Sequence, residues 1–347
     1  MITLRLASTC DDDTLRAMLR ENPMPSWVSM SIEREPSLFE GLNRFGQERV
    51  VIAQEGRAAV GMYMCAEHLL HINGSRNSLG YLGALRISPH FRHRLSVLRA
   101  GFDSIRQLSG AAQGDTWYTS VAADNRPARR LLEAGIRGLP RYEPVGKLVT
   151  LALPRSRGRR HGFWQQAEQG ELAAICEAHN HSAAAYQLSP LLTPELALSS
   201  GAAFYVHRVQ GQFSSCMALW DQRTYKQVVA HAYRQPLRRL IPLYNAWARM
   251  ARRVELPPVG NALEQSFLAF FASATEEPDA IIPLVQDALA LCPTQTLCLG
   301  LHGGHRALPA LQKTFRPLAY STMIYAVCFE QPPVWDDRPV QPEAAIL

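Results

Sequence analysis

Arg92, His93 and Arg94 stand together in the stretch LGALRISPHFRHRLSVLRAGFDSI, residues 82–105. An alternating segment breaks at Pro89, passes these basic residues and takes up helical spacing from Ser96. A strand that feeds a helix presents N–H groups without intrahelical partners, and the helix dipole favours negative charge beside them. The spacing predicts an anion seat for phosphate or pyrophosphate. Its donors would be the amides of Arg94, Leu95, Ser96 and Val97, with the Arg92 side chain alongside. A solvated basic turn is the other reading.

Other reactive groups carry less. EHLLH, Glu67–His71, holds two histidines three apart but is not the HExxH pattern and has no placed third ligand, so no metal is expected. His179–His181 falls in an expected helix-to-loop region, and GLHGGH at Gly300–His305 is one Gly-Gly pair before a helix. Seven cysteines are scattered without a CxxC pair, which suggests reduced thiols in a cytoplasm. Cys65, Cys292 and Cys298 read as core.

The elements that must position the corner follow from periodicity. Thr3–Ala7 alternates, Asp11–Asp13 open a helix striped by Leu15, Met18 and Leu19, and a second helix is expected over Ile32, Leu38, Phe39, Leu42 and Phe45. Arg49–Gln54 and Ala58–Ala66 form a hairpin around Gly56. The strand from Leu79 and the helix Ser96–Leu108 follow, then strand Thr116–Ala122, helix Asn125–Ala134 and strand Tyr142–Leu153. PRSRGRRHG, Pro154–Gly162, interrupts the pattern as a linker. A similar order recurs beyond it: a helix near Gly170, a hairpin Ala202–Val209 with Phe213–Leu219, a strand Val228–Tyr233 extending the sheet, and a basic helix Leu237–Arg253. Strand Ser266–Ala274, helix Asp279–Leu291, strand Thr296–Leu301, helix Arg306–Thr314 and strand Tyr320–Phe329 complete it. A duplicated α/β unit accounts for this recurrence. The chain has 347 residues, 47% hydrophobic and 19% charged, with a formal charge of +6, which fits two globular domains and excludes a disordered chain. No apolar run reaches spanning length and the N-terminus shows no secretion signal, so no membrane partner is expected.

Residues 2–153 resemble the GNAT superfamily of acyl-CoA-dependent N-acyltransferases. Ile87, Pro89 and Arg92 match its strand–loop–helix signature V-x-P-x-x-R-G-x-G, and Asn125, Ala128, Leu131, Glu133 and Gly135 match its second segment. His93 and Leu95 replace glycines, and Val97 stands where a small residue is usual. The resemblance implies an α/β fold (α+β) of two tandem GNAT-like domains, each a mixed, mostly antiparallel sheet flanked by helices. The bounds are 1–153 for the acyl-CoA-binding domain, 154–162 for a basic linker, 163–332 for a degenerate copy and 333–347 for a tail. It implies acetyl-CoA as co-substrate and direct acetyl transfer to a small-molecule or peptide amine in a ternary complex. Arg92, His93, Arg94, Leu95, Ser96 and Val97 would face the pyrophosphate, and the backbone of Leu85, Arg86 and Ile87 the thioester. Asn125 and Ala128 would lie by the pantetheine arm, although Asn125 also reads as a plain N-cap.

The family's usual acid, a tyrosine, corresponds to Leu132. Tyr142, just past that helix, is the nearest replacement. Amine attack also wants a base, for which Glu67, Tyr81, Tyr118 and Ser120 are candidates, and Trp27 could wall an acceptor pocket. In the second half, Glu276, Glu277 and Asp279 stand where the first has its basic residues. They would repel phosphates, so this corner reads as helix capping in a non-catalytic copy. A binding or regulatory protein without chemistry is the competing reading. A nucleic-acid partner through the arginines at 234, 238, 239, 249, 252 and 253 ranks below a solvated helix face.

Overall fold

A computed structural model of the chain describes residues 2–24, 28–108 and 116–347. The first half runs β1 (Ile2–Leu6), α1 (Asp12–Arg20), β2 (Val28–Glu33), β3 (Gln47–Glu55), β4 (Ala58–Ile72), β5 (Ser75–Ile87), α2 (Leu95–Leu108), β6 (Thr116–Ala122), α3 (Arg126–Glu133) and β7 (Arg141–Pro154). The second begins with β8 (Gln165–Gln166), α4 (Leu172–Ala183), β9 (Ser189–Pro190), α5 (Pro194–Ser200), β10 (Ala203–Val209), β11 (Gln212–Trp220) and β12 (Gln227–Tyr233). It ends with α6 (Leu237–Met250), β13 (Gln265–Ser273), α7 (Pro278–Leu291), β14 (Thr296–His302), α8 (Leu308–Phe315) and β15 (Leu318–Cys328). No helix among the described residues is long and apolar enough to cross a membrane.

The expected second helix does not form. Its segment holds β2 and a single 3-10 turn at Phe39–Gly41, because Pro36 interrupts the run and Ser29, Met30, Ser31 and Ile32 pair with β12. The strand expected at Val228–Tyr233 likewise leaves the main sheet to pair with β2 in a separate two-stranded ribbon. His179 and His181 lie within α4 rather than at its end.

Thirteen strands among those described form one sheet, in the order β1-β3-β4-β5-β6-β15-β7-β14-β13-β11-β10-β8, with β9 beside β4. Two features repeat in its halves. β5 runs parallel to β6 only through Gly80–Trp117, Tyr81–Tyr118 and Leu82–Thr119, and β13 runs parallel to β14 only through Gln265–Thr296, Ser266–Leu297 and Phe267–Cys298. Beyond these pairs the strands part. Each departing strand carries a bulge with a left-handed residue, Ala84 at φ 48° and Phe270 at φ 50°, an unusual conformation for any side chain. Two like splays, each followed by a long helix, are strong support for duplication.

The last strands are exchanged. β15 lies between β6 and β7, and β7 lies between β15 and β14, so each half completes the other. α2 covers one face through Leu98, Phe102 and Ile105, all buried, each contributing roughly 2 kcal/mol. Gly80 is required there, since a Cβ would stand 2.0 Å from the Trp117 ring.

Candidate functional site

Construction of the corner begins at β5. Thr119 Oγ1 donates to the Leu82 carbonyl at 2.6 Å, the last tie between β5 and β6. Past it, Leu85, Arg86 and Ile87 have no β6 partner. The chain then turns through Pro89–Phe91 and enters α2. The Arg94 amide donates to the Phe91 carbonyl and the Val97 amide to the Arg94 carbonyl, both at 3.0 Å. The Leu95 and Ser96 amides, both on exposed residues, have no acceptor among the described residues. Two donors therefore face outward at the positive end of a 14-residue helix.

The guanidinium groups are turned inward. Arg92 donates to Asn22 Oδ1 at 2.5 Å, and Asn22 in turn caps the end of α1 through the Met18 carbonyl at 2.8 Å. Arg94 grips Glu55 with two hydrogen bonds of 2.8 and 3.1 Å and stacks on Phe91. Its charge is thereby largely neutralised. His93 alone of the three is exposed with no recorded partner. The corner offers amides and a dipole rather than a fork of arginines. Asn125 caps α3, accepting from the Ala128 amide at 3.3 Å.

The expected catalytic side chains do not converge. Tyr142 packs against Phe102 and Tyr325 in the core under α2, and burial raises its pKa. Tyr118 points to the opposite face, next to Trp117 in sequence and so alternate in direction. Its hydroxyl meets His68 Nδ1 at 2.6 Å, and burial raises its pKa well above the phenol range. Glu67 accepts from Ser78 at 2.6 Å and pairs with Gly80, two positions short of the splay. Trp27 lies outside the described residues.

On the Tyr118 face a different group assembles. Tyr81 stacks on His68 with centroids 5.7 Å apart and shares a 2.9 Å hydrogen bond with Ser120. Around Tyr81 the protein places Arg34, Arg86 and Glu48, with Lys226 and Tyr225 beside Arg34. These side chains are deep within the chain yet Arg34, Glu48 and Lys226 keep intermediate exposure, so they line a cleft. Burial raises the pKa of Glu48, opposed by Arg34 and the Asn43 amide. Burial lowers Lys226 to about 7. Its ammonium donates to the Leu347 oxygen at 2.9 Å. Sequence reasoning missed Arg34, Glu48 and Lys226. They come from β2, β3 and the loop before β12, and no local pattern links them.

The second splay is filled. Glu343 accepts from the Phe270 bulge amide at 2.7 Å and from the Ala345 amide at 3.0 Å, while Ala344 and Ala345 pack among Phe267, Phe270 and Cys298. Its acidic corner is bound rather than capping. Glu276 accepts from Tyr186 at 2.6 Å, Glu277 pairs with Arg306 at 3.1 Å, and the helix has no side-chain cap bond.

No family model and no curated protein matches the sequence. Solved structures do resemble the fold. Saccharomyces cerevisiae N-myristoyltransferase with bound myristoyl-CoA aligns at TM-score 0.64 and 11% identity over 98% of this chain and 89% of its own. An Enterococcus faecalis protein described as a probable N-acyltransferase aligns at 0.52 and 8% identity, over 94% and 72%. A GCN5-related N-acetyltransferase from Anabaena variabilis aligns at 0.51 and 10%, over 93% and 72%. At such identities the likeness concerns architecture, and on that ground the chain has the tandem GNAT-like fold, two α/β units sharing one sheet.

Proposed function

We propose that the chain is an acyl-CoA-dependent N-acyltransferase whose site lies in the first half. One observation carries this reading: of two like splays, only the first is left open, and it adjoins two unpartnered helix amides. The Leu95 and Ser96 amides suit a pyrophosphate without glycine, because both residues are already helical. The widening gap past Leu82 suits an extended pantetheine arm. A CoA thioester supplies an activated acyl carbon and a thiolate leaving group. The Leu85 amide at the bulge is the group best placed to polarise its carbonyl.

The amine acceptor, a small molecule or a peptide end, would enter the cleft on the Tyr81 face. Glu48 fits the role of proton acceptor there, since burial makes it a stronger base than an exposed carboxylate. Lys226, shifted to about 7, fits proton exchange near neutrality. Direct transfer then forms the C–N bond as the C–S bond breaks, and the displaced sulfur takes up a proton. Acetyl is the group the sequence resemblance implies, and the N-myristoyltransferase likeness makes chain length the variable to measure. The binding-only reading keeps one point in its favour, the leucine at 132.

Calorimetric titration with acetyl-CoA and myristoyl-CoA tests this. Leu95→Pro deletes one donor at a first-turn position where proline suits the helix, and a lost charge-assisted bond corresponds to about tenfold weaker binding. The melting temperature should stay unchanged. No heat with either thioester removes the proposal. Binding without transfer to any amine in a broad panel leaves the regulatory reading in its place.

A further inference from the structure

α6 presents two apolar faces, and only one of them is used. Leu237, Ile241 and Tyr244 pack on Ala230, Tyr233 and Leu256. Leu240, Leu243, Trp247 and Met250 instead stand 46, 69, 49 and 87% exposed. At 100° per residue these four fall within an arc of about 80°, a continuous outward stripe. Val259, 51% exposed, lies in the loop that follows. The face is therefore not the solvated polar surface that its arginines alone imply.

Six arginines, at 234, 238, 239, 249, 252 and 253, accompany the stripe. The sole acid between Arg234 and Val259 is Glu255, which Arg249 engages at 2.9 Å. Arg253 stacks on the Trp247 ring with its guanidinium carbon 5.1 Å from the centroid. We infer that α6 docks the protein on an anionic lipid surface, with the stripe entering the headgroup boundary and the arginines meeting lipid phosphates. Charge complementarity selects this occupant. A second copy placed face to face would set one arginine cluster against another. Nucleic acid would meet the arginines but leave Leu243 and Met250, the two most exposed members, without apolar cover. Such docking needs no spanning segment.

Co-sedimentation of the full chain with phosphatidylcholine vesicles, with and without phosphatidylglycerol, is the test. The wild type should sediment with the anionic vesicles and far less with the neutral ones, and added salt should weaken the association. Leu243→Glu/Met250→Glu should lower the partition coefficient at least about tenfold, since two buried apolar contacts become repelled charges. Both positions are exposed, so the melting temperature should match the wild type and separate docking from folding. Equal partition of wild type and variant overturns the inference, as does no partition at all. It is also overturned if the same variant instead abolishes self-association or RNA binding by a wild type that ignores vesicles.

Discussion

His68 shows what a single residue does to this fold. It is 3% exposed, lies between Phe45 and Tyr81, and burial lowers its pKa from 6.5 to about 4. Above 6.5 the ring is neutral in the folded and unfolded chains alike, and adds no pH dependence. As pH falls through the window from 6.5 to about 4, the unfolded chain takes up a proton that the folded chain refuses. Stability should drop across it by ~3 kcal/mol from this residue. His179 is shifted the same way, so the acid limb should be steep. In urea titrations across that window, His68→Phe should remove about half the slope while lowering neutral-pH stability by ~1–3 kcal/mol, because the Tyr118 hydroxyl loses its partner. His68→Phe/Tyr118→Phe should recover most of that loss. An unchanged slope in His68→Phe would refute the assignment. Nothing in EHLLH announces this role. The partner, Tyr118, is 50 residues away, and only the fold brings them together.

At the scale of elements, local rules read well where the pattern was local. The hairpin at Gly56, with φ 62°, formed as expected, as did α2 and α3 with its Asn125 cap. They failed where a distant segment decides. Ile32 through Phe45 has helical spacing, yet β12 from the second half pairs with it as a strand. Pro154–Gly162 lacks periodicity and reads as loose, but it is fastened down. Arg157 donates to the carbonyls of Ala251 and Arg252 past α6 and of Thr314 in α8. Asp287 of α7, fully buried, accepts from the amides of His161, Phe163 and Trp164 at 2.9, 2.7 and 3.1 Å. Burial pushes this carboxyl up, but the amides prevail and its pKa is lowered. Its contribution is therefore present above the usual carboxylate range and lost in strong acid. Asp287→Asn exchanges an acceptor for an NH2 that faces amide donors, which should cost ~2–3 kcal/mol. Chemical denaturation at neutral pH would show that loss, and trypsin should cut after Arg159 or Arg160 sooner. A variant as stable and as resistant as the wild type would mean the carboxylate does not hold the segment.

Across the whole molecule, the recurring element order was legible but its consequence was not, because order along the chain does not disclose which strands exchange. Residues 1–153 contain an edge at β6 and an edge at β7 with one strand missing between them. At ~4.8 Å per strand the two cannot close on each other without shifting every side chain they carry. The missing strand, β15, contributes Ile324, Tyr325, Ala326 and Val327, all 0% exposed. Tyr325 also spans the halves, accepting from Arg129 Nε at 2.9 Å and donating to Glu133, both on α3. The helix that lacks its own tyrosine at 132 is thus met by one from the other half. We propose that neither half is an independent folding unit, whatever the repeat suggests. Residues 1–153 expressed alone should show no cooperative melt and should aggregate through the open edges. Mixed with residues 154–347, they should regain near-ultraviolet dichroism and one shared unfolding transition. A cooperative melt of the isolated first half within a few degrees of the full chain would show instead that the exchanged strand is an ornament on two self-sufficient domains.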